Sequence, residues 1–178
     1  MTTVTRETRE TRVQVSISRG AGQADVRTSV PFLDHMLTTL ARYAALDLSV
    51  TAEGDLHHHI VEDVALTMGE ALRAAIPERA ARYGDRTVPM DDALVQVVVD
   101  VGGRPYYRGR LPSTLYEHWM RSFAMAGHLT LHVRVWRGRD RHHVVEAAFK
   151  ALGLALRDAL VEGDQVFSTK GSVTLEQG

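Results

Sequence analysis

Two copies of the pattern His-His-x-x-Glu stand in this chain, His58-His59-Ile60-Val61-Glu62 and His142-His143-Val144-Val145-Glu146. Imidazole nitrogens and carboxylate oxygens at this spacing are metal donors. On a helix the first histidine and the glutamate are four residues apart, the second histidine and the glutamate three, so either pair can converge. The two adjacent histidines point about 100° apart around the helix, so they serve two ions more readily than one. An acid-His pair precedes each copy, Asp34-His35 and Glu117-His118. His35, His58, His59, Glu62, His118, His142, His143 and Glu146 thus make eight side chains, or four per ion if shared evenly. An octahedral ion would keep about two positions open for water or substrate, which marks a catalytic site rather than a closed structural one. With no cysteine in the chain, the donors are nitrogen and oxygen, a set that suits manganese, iron, zinc, cobalt or nickel. Mixed imidazole-carboxylate octahedra favour manganese or iron.

One such pattern could be no more than the polar face of a helix. Two copies with matched partners upstream argue against that, since buried adjacent histidines without partners cost free energy that packing does not require.

The repeat extends past the donors. Sliding the chain so that His58 falls on His142 aligns HHIVEDVALTMGEALRAAI with HHVVEAAFKALGLALRDAL and superimposes Gly69 on Gly153 and Arg73 on Arg157. The elements that position the donors repeat as well. Residues 12–18 alternate apolar and polar as a strand, and Gly20-Ala21-Gly22 turns into a returning strand over 23–30. Helical spacing covers 32–45, strand alternation 46–52, and an apolar helical stripe runs from His58 to about Ile76. The second half follows with strands over 93–101 and near 105–111, a helix over 114–127, a strand over 129–135 and a helix over about 142–162. Residues 77–91 read as the connection. This predicts one α+β domain over 1–178, built from duplicated strand-strand-helix-strand-helix halves (about 10–76 and 92–162), with a loop at 163–178. Fused sheets with the four helices stacked on one side are the expected arrangement.

Bulk properties narrow the classes. A chain of 178 residues with 44% hydrophobic residues can bury a real core. A formal net charge of −1 provides no basic face for nucleic acid. No apolar run reaches the ~18 residues of a membrane span, and the polar start MTTVTRETRE does not read as a secretory signal. A cytoplasmic location is the expectation. Cationic residues flanked by glycine, Arg82-Tyr83-Gly84, Gly103-Arg104-Pro105 and Ser168-Thr169-Lys170-Gly171, could hold a phosphate without a Walker loop.

Taken together, these residues resemble imidazoleglycerol-phosphate dehydratase of histidine biosynthesis, from about Glu10 to Gly171. The resemblance includes Glu10-Thr11, Pro31-Phe32-Leu33-Asp34-His35-Met36-Leu37, Gly54-Asp55, Pro89-Met90-Asp91-Asp92-Ala93, both His-His-x-x-Glu copies and Phe149-Lys150-Ala151. It implies a duplicated fold like ribosomal protein S5 domain 2, two manganese ions per site on the eight donors, and substrate contacts at Glu10, Arg82, Arg104, Ser168, Thr169 and Lys170. It also implies a homo-oligomeric shell of 24 subunits with sites between neighbouring chains, the loop from Gly163 completing a neighbour's site. The implied reaction removes a C–H proton and expels the adjacent hydroxyl as water, giving an enol that becomes imidazole acetol-phosphate. Glu10 is the acid-base candidate, with His57 a second. The chain departs from the family pattern in three places. The stretch between Gly54-Asp55 and His58 is about three residues short, Ile60 stands where threonine is usual, and 106–116 is compressed. Two other readings share the metals: a dinuclear hydrolase of a phosphorylated metabolite, and a metal-stabilised assembly protein without turnover.

Overall fold

The computed structural model describes residues 1–164. The elements are β1 (Thr2–Glu7), β2 (Thr11–Arg19), β3 (Ala24–Arg27), α1 (Pro31–Ala44), β4 (Leu46–Gly54), α2 (His57–Ala75), β5 (Tyr83–Met90), β6 (Ala93–Asp100), β7 (Tyr106–Gly109), α3 (Thr114–Ala126), β8 (Thr130–Arg137) and α4 (Arg141–Ala159). Each half keeps the strand-strand-helix-strand-helix order and adds one strand ahead of it, β1 or β5. These two carry little apolar alternation. In β5 only Gly84 and Val88 are buried, and Pro89 suits an edge. The stretch 77–91, read as a connection, therefore contains a strand.

Alternation places the central strands well. Val13, Val15 and Ile17 of β2, Leu48 and Val50 of β4, and Val95, Val97 and Val99 of β6 are all buried, while their polar neighbours face outward. The sheets do not fuse as expected. They are two, ordered β1-β2-β4-β3 and β5-β6-β8-β7. Helices α1 and α2 cover the first and α3 and α4 the second, while α2 packs on α3 and α1 on α4. The helices thus form an inner double layer between two outer sheets. The physical reason lies in α4, whose buried residues include Val144, Val145, Ala147, Ala148, Ala151, Leu152, Ala155 and Leu156. A helix apolar over so wide an arc must bury against a sheet and another helix at once.

The expected hairpins also differ. β3 and β7 pair parallel with β4 and β8, not antiparallel with the strands they follow. Asp47 of β4 accepts the backbone N–H groups of Ala21 (3.0 Å) and Gln23 (2.9 Å), drawing the glycine-rich turn across to β4. The Thr130 hydroxyl donates to the Arg104 carbonyl at 2.8 Å and draws the second turn to β8 in the same way.

An aromatic cluster ties α1, α3 and α4 together. Trp119 lies 4.7 Å from Phe149 and 5.0 Å from Phe123, and Phe32 meets Tyr116 at 5.0 Å, centroid to centroid. Trp119, Phe123 and Phe149 are fully buried, and truncating any one to alanine costs about 3–5 kcal/mol.

Candidate metal centre

The acids of the two acid-His pairs do local work. Asp34 accepts the N–H of Thr28 at 3.0 Å, and Glu117 accepts that of Leu111 at 2.9 Å. Each carboxylate, in the first turn of its helix, secures the chain six residues upstream and satisfies a backbone donor. That orients the first turns of α1 and α3, on which His35 and His118 stand.

Six of the eight expected donors gather into two clusters, each with its ligand atoms within 4.8 Å of one another. In one, Glu62 Oε1 is 3.2 Å from His118 Nε2 and Glu62 Oε2 is 3.8 Å from His58 Nε2. In the other, Glu146 Oε2 is 3.1 Å from His142 Nε2 and 3.6 Å from His35 Nε2. The clusters cross the duplication: the first His-His-x-x-Glu takes the histidine of the second half, and the second takes that of the first. Close helix contact permits this. A Cβ at Gly69 of α2 would lie 2.7 Å from the Phe123 carbonyl oxygen of α3, and one at Gly153 of α4 would lie 2.7 Å from Tyr43 Cβ of α1.

The donors suit a cation. Nε2 of His118 is buried and makes no hydrogen bond, although Glu62 is near. A lone pair so placed is costly unless something positive receives it. Glu146 is also buried, and burial alone would raise its carboxyl. The Lys150 ammonium at 2.8 Å, with His35 and His142, outweighs burial and holds the carboxyl below its ordinary value. Glu62 has no such partner at the equivalent position, which is Leu66.

The other two donors stand apart, as adjacent histidines on a helix must. The His58 and His59 rings are 78° apart and those of His142 and His143 are 89° apart. His59 Nδ1 bonds Asp55 at 2.8 Å, and His143 Nδ1 bonds Asp92 at 2.8 Å, with Asp91 3.3 Å from its Nε2. The Asp55 hydrogen bond raises the His59 pKa, and the Asp92 bond raises that of His143. Asp92, receiving the Arg139 backbone N–H as well as His143, falls to about 2. Glu10 sits beside His59, 3.6 Å from Nδ1, on the turn between β1 and β2. His57 is exposed as the first residue of α2.

The phosphate candidates lie elsewhere. Arg82 binds Asp100 through Nε (3.1 Å) and Nη2 (2.9 Å), and its backbone N–H donates to the Ala159 carbonyl at the end of α4. Arg104 lies in the β6–β7 turn at the same end, where Gly103 abuts Asp100 and Thr130. At 1.5 Å per residue, Ala159 is ~20 Å along α4 from Glu146. One chain does not bring these arginines to its own clusters. Ser168, Thr169 and Lys170 lie outside the described residues.

The family model described as imidazoleglycerol-phosphate dehydratase matches residues 28–156. The chain belongs to the imidazoleglycerol-phosphate dehydratase family. A relative of that name from Methanothermobacter thermautotrophicus is 46% identical over 186 residues, 95% of this chain and 95% of the relative. One from Acidothermus cellulolyticus is 45% identical, over 96% of this chain and 92% of its own. The crystal structure of the Pyrococcus furiosus protein superposes with a TM-score of 0.86 at 40% identity, covering 96% and 100% of the two chains. That of the Staphylococcus aureus imidazoleglycerol-phosphate dehydratase gives 0.81 at 33%, covering 91% and 99%.

Of the places where this chain departs from the dehydratase family pattern, the two changes of length are taken up where elements join and the third, Ile60, lies within α2. The short approach to His58 leaves Gly54 closing β4 and Leu56 as the N-cap of α2, without a side-chain cap. The compressed segment 106–116 leaves four residues, 110–113, between β7 and α3. Neither displaces a cluster residue. Ile60 is buried against the core, where the hydroxyl of a threonine would need a partner. Sequence reasoning missed Lys150 as a site residue, although its spacing four residues after Glu146 on a helix was a readable signal. It also missed Asp55 and Asp92 as partners of His59 and His143. Asp92 comes from a different element, so no spacing could reveal it.

Proposed function

We propose that this chain dehydrates imidazoleglycerol phosphate to imidazole acetol-phosphate, a hydro-lyase step of histidine biosynthesis, with two manganese ions per site and sites formed between copies of the chain. The observation that carries the reading is the pair of three-donor clusters in a chain of this family, each short of the four protein donors per ion that eight side chains would supply. His59 and His143 are the missing donors, held out of their own chain's clusters. A hydrogen bond from Nδ1 to a carboxylate selects the tautomer whose Nε2 lone pair is available to a metal. Joining these histidines, the clusters and the distant arginines in one site takes more than one chain. That favours a homo-oligomer, and family membership suggests a shell of 24 subunits. Among the described residues no helix is long and apolar enough to cross a membrane, which is consistent with a cytoplasmic enzyme.

Manganese at the clusters would supply Lewis acidity, easing loss of a proton from a bound imidazole. The product ketone lies on the middle carbon of the side chain. The proton therefore leaves that carbon, and the hydroxyl leaves the carbon bearing the ring. Glu10, outside the donor set, takes the C–H proton as general base. Water departs, and the enol gains a proton at the ring-bearing carbon to become the ketone. Arg82, Arg104, Ser168, Thr169 and Lys170 hold the phosphate. For Arg82 this means sharing its guanidinium with Asp100, which already raises its pKa and orients its fork.

The test is an assay with imidazoleglycerol phosphate on chelator-stripped protein before and after manganese. Dehydration should be absent, then restored. Release of inorganic phosphate instead would support the dinuclear hydrolase, and full metal content with no product would support the assembly protein.

A further inference from the structure

We propose that Asp63 is a positioning residue for Glu10, acting through the hydroxyls of Thr11 and Thr8. This rests on the reading of Glu10 as the acid-base group. The Glu10 carboxylate is 58% exposed and meets His59 only at 3.6 Å, so the backbone beneath it sets its direction.

That backbone turn is closed by the Thr8 N–H on the Thr11 carbonyl at 2.9 Å, and a chain of side-chain hydrogen bonds ties it to α2. The Thr8 hydroxyl oxygen accepts the N–H groups of Glu10 (3.1 Å) and Thr11 (3.0 Å). Its own proton points at Thr11, where Oγ1 lies at 3.2 Å and the carbonyl oxygen at 3.5 Å. The Thr11 hydroxyl donates to Asp63 Oδ2, and Arg6 Nε donates to Asp63 Oδ1 at 2.8 Å. A carboxylate only accepts, so the Thr11 hydroxyl and the Arg6 guanidinium both donate into Asp63, and linked bonds of this kind polarise one another. A further bond from the Asp55 N–H to the Glu10 carbonyl, 3.1 Å, closes the turn on the loop before α2.

Asp63 follows Glu62 on α2, and its side chain is 11% exposed. A buried carboxylate is an expensive way to attach a strand. β1 does not need one, being paired with β2 from Thr2↔Ile17 to Glu7↔Arg12. What the carboxylate adds is a rigid link from the helix bearing His58 and Glu62 to the turn bearing Glu10. The base and the cluster donors are thereby referenced to one element.

The experiment compares Thr11→Val, which keeps the shape and loses the hydroxyl, with Thr11→Ser, which keeps the hydroxyl. The readouts are kcat, KM and bound manganese of the assembled protein, each also in a Glu10→Gln background at high enzyme concentration. Thr11→Val should lower kcat about 10- to 100-fold, with KM and metal content within about 3-fold of wild type. Thr11→Ser should stay within about 3-fold in kcat. In the Glu10→Gln background Thr11→Val should cost nothing more, because the two act as a unit. An unchanged kcat in Thr11→Val, an equal fall in Thr11→Ser, or a loss that persists in the Glu10→Gln background would overturn the proposal while leaving Glu10 as the base. Full activity in Glu10→Gln alone would overturn both. Should Thr11→Val fail to assemble, Thr8→Val against Thr8→Ser reads the same chain one link nearer to Glu10.

Discussion

His118 and Glu62 come from opposite halves of the duplication, yet Nε2 of one lies 3.2 Å from Oε1 of the other. His35 and Glu146 repeat the relationship at 3.6 Å. Neither cluster belongs to one half of the chain, so an isolated half would hold two donors of one cluster and a lone histidine of the other. The duplication behaves as two complementary donor sets that close on each other through α2–α3 and α1–α4.

The crossing makes a specific prediction about metal content. His118→Gln should lose the metal of the Glu62 cluster and His35→Gln that of the Glu146 cluster. Elemental analysis would then show about half the manganese in each single variant and none in the double. His118→Gln and Glu62→Gln should be strongly non-additive, while His118→Gln and Glu146→Gln should add. The reverse pattern would mean that the donors pair within each half.

The glycine contacts make a second. An exposed helical Gly→Ala change gains up to about 1 kcal/mol from propensity. At Gly69 and Gly153 the added methyl meets backbone and Cβ atoms at 2.7 Å, and overpacking of that kind costs about 1–3 kcal/mol. Gly69→Ala should therefore destabilise the protein in urea titrations and weaken manganese only at the His58-Glu62-His118 cluster. Gly153→Ala should do so only at the other.

Lys150 distinguishes the two clusters. Its ammonium pairs with Glu146 where both side chains are largely buried. Lys150→Met removes the main compensating charge from that carboxylate and leaves it only the two histidines, at a cost of up to about 3–5 kcal/mol in metal-free protein. Manganese would replace the lost cation, so the deficit in Tm should be markedly smaller in loaded protein. The Glu146 carboxyl titrates below its ordinary 4.5. The pair's contribution is therefore complete above that value and disappears as pH falls through the folded pKa. The gap between metal-free wild type and variant should narrow below pH 4.5, measured by urea midpoints.

The proposal that sites are shared between chains predicts complementation. On the proposed roles, Arg104→Ala would damage the phosphate end and Glu10→Gln the acid-base end, and each alone should be inactive. Co-assembled in equal amounts, they should recover up to about a quarter of wild-type activity, the share of two-chain sites that draw both intact residues. No recovery after verified co-assembly would place both residues in the same chain's site.

Much of this protein was legible along the chain because its signals are local. The i, i+3 and i, i+4 spacing of the two His-His-x-x-Glu copies, their 84-residue repeat and the absence of cysteine single out two matched sets of helical nitrogen and oxygen donors. Alternation in β2, β4 and β6 located the central strands, since a half-buried sheet imposes a period of two. β1 and β5 escaped because edge strands bury too few apolar side chains to leave that pattern. Whether the sheets fuse, which histidine meets which glutamate, and that Asp92 holds His143 were decided only in three dimensions. Each depends on which apolar face covers which, and helix packing brings together residues that no periodicity relates. The same holds for Arg82 and Arg104: as sequence they stand beside the donors as candidates for one site, and the length of α4 puts them at the far end of that helix from Glu146.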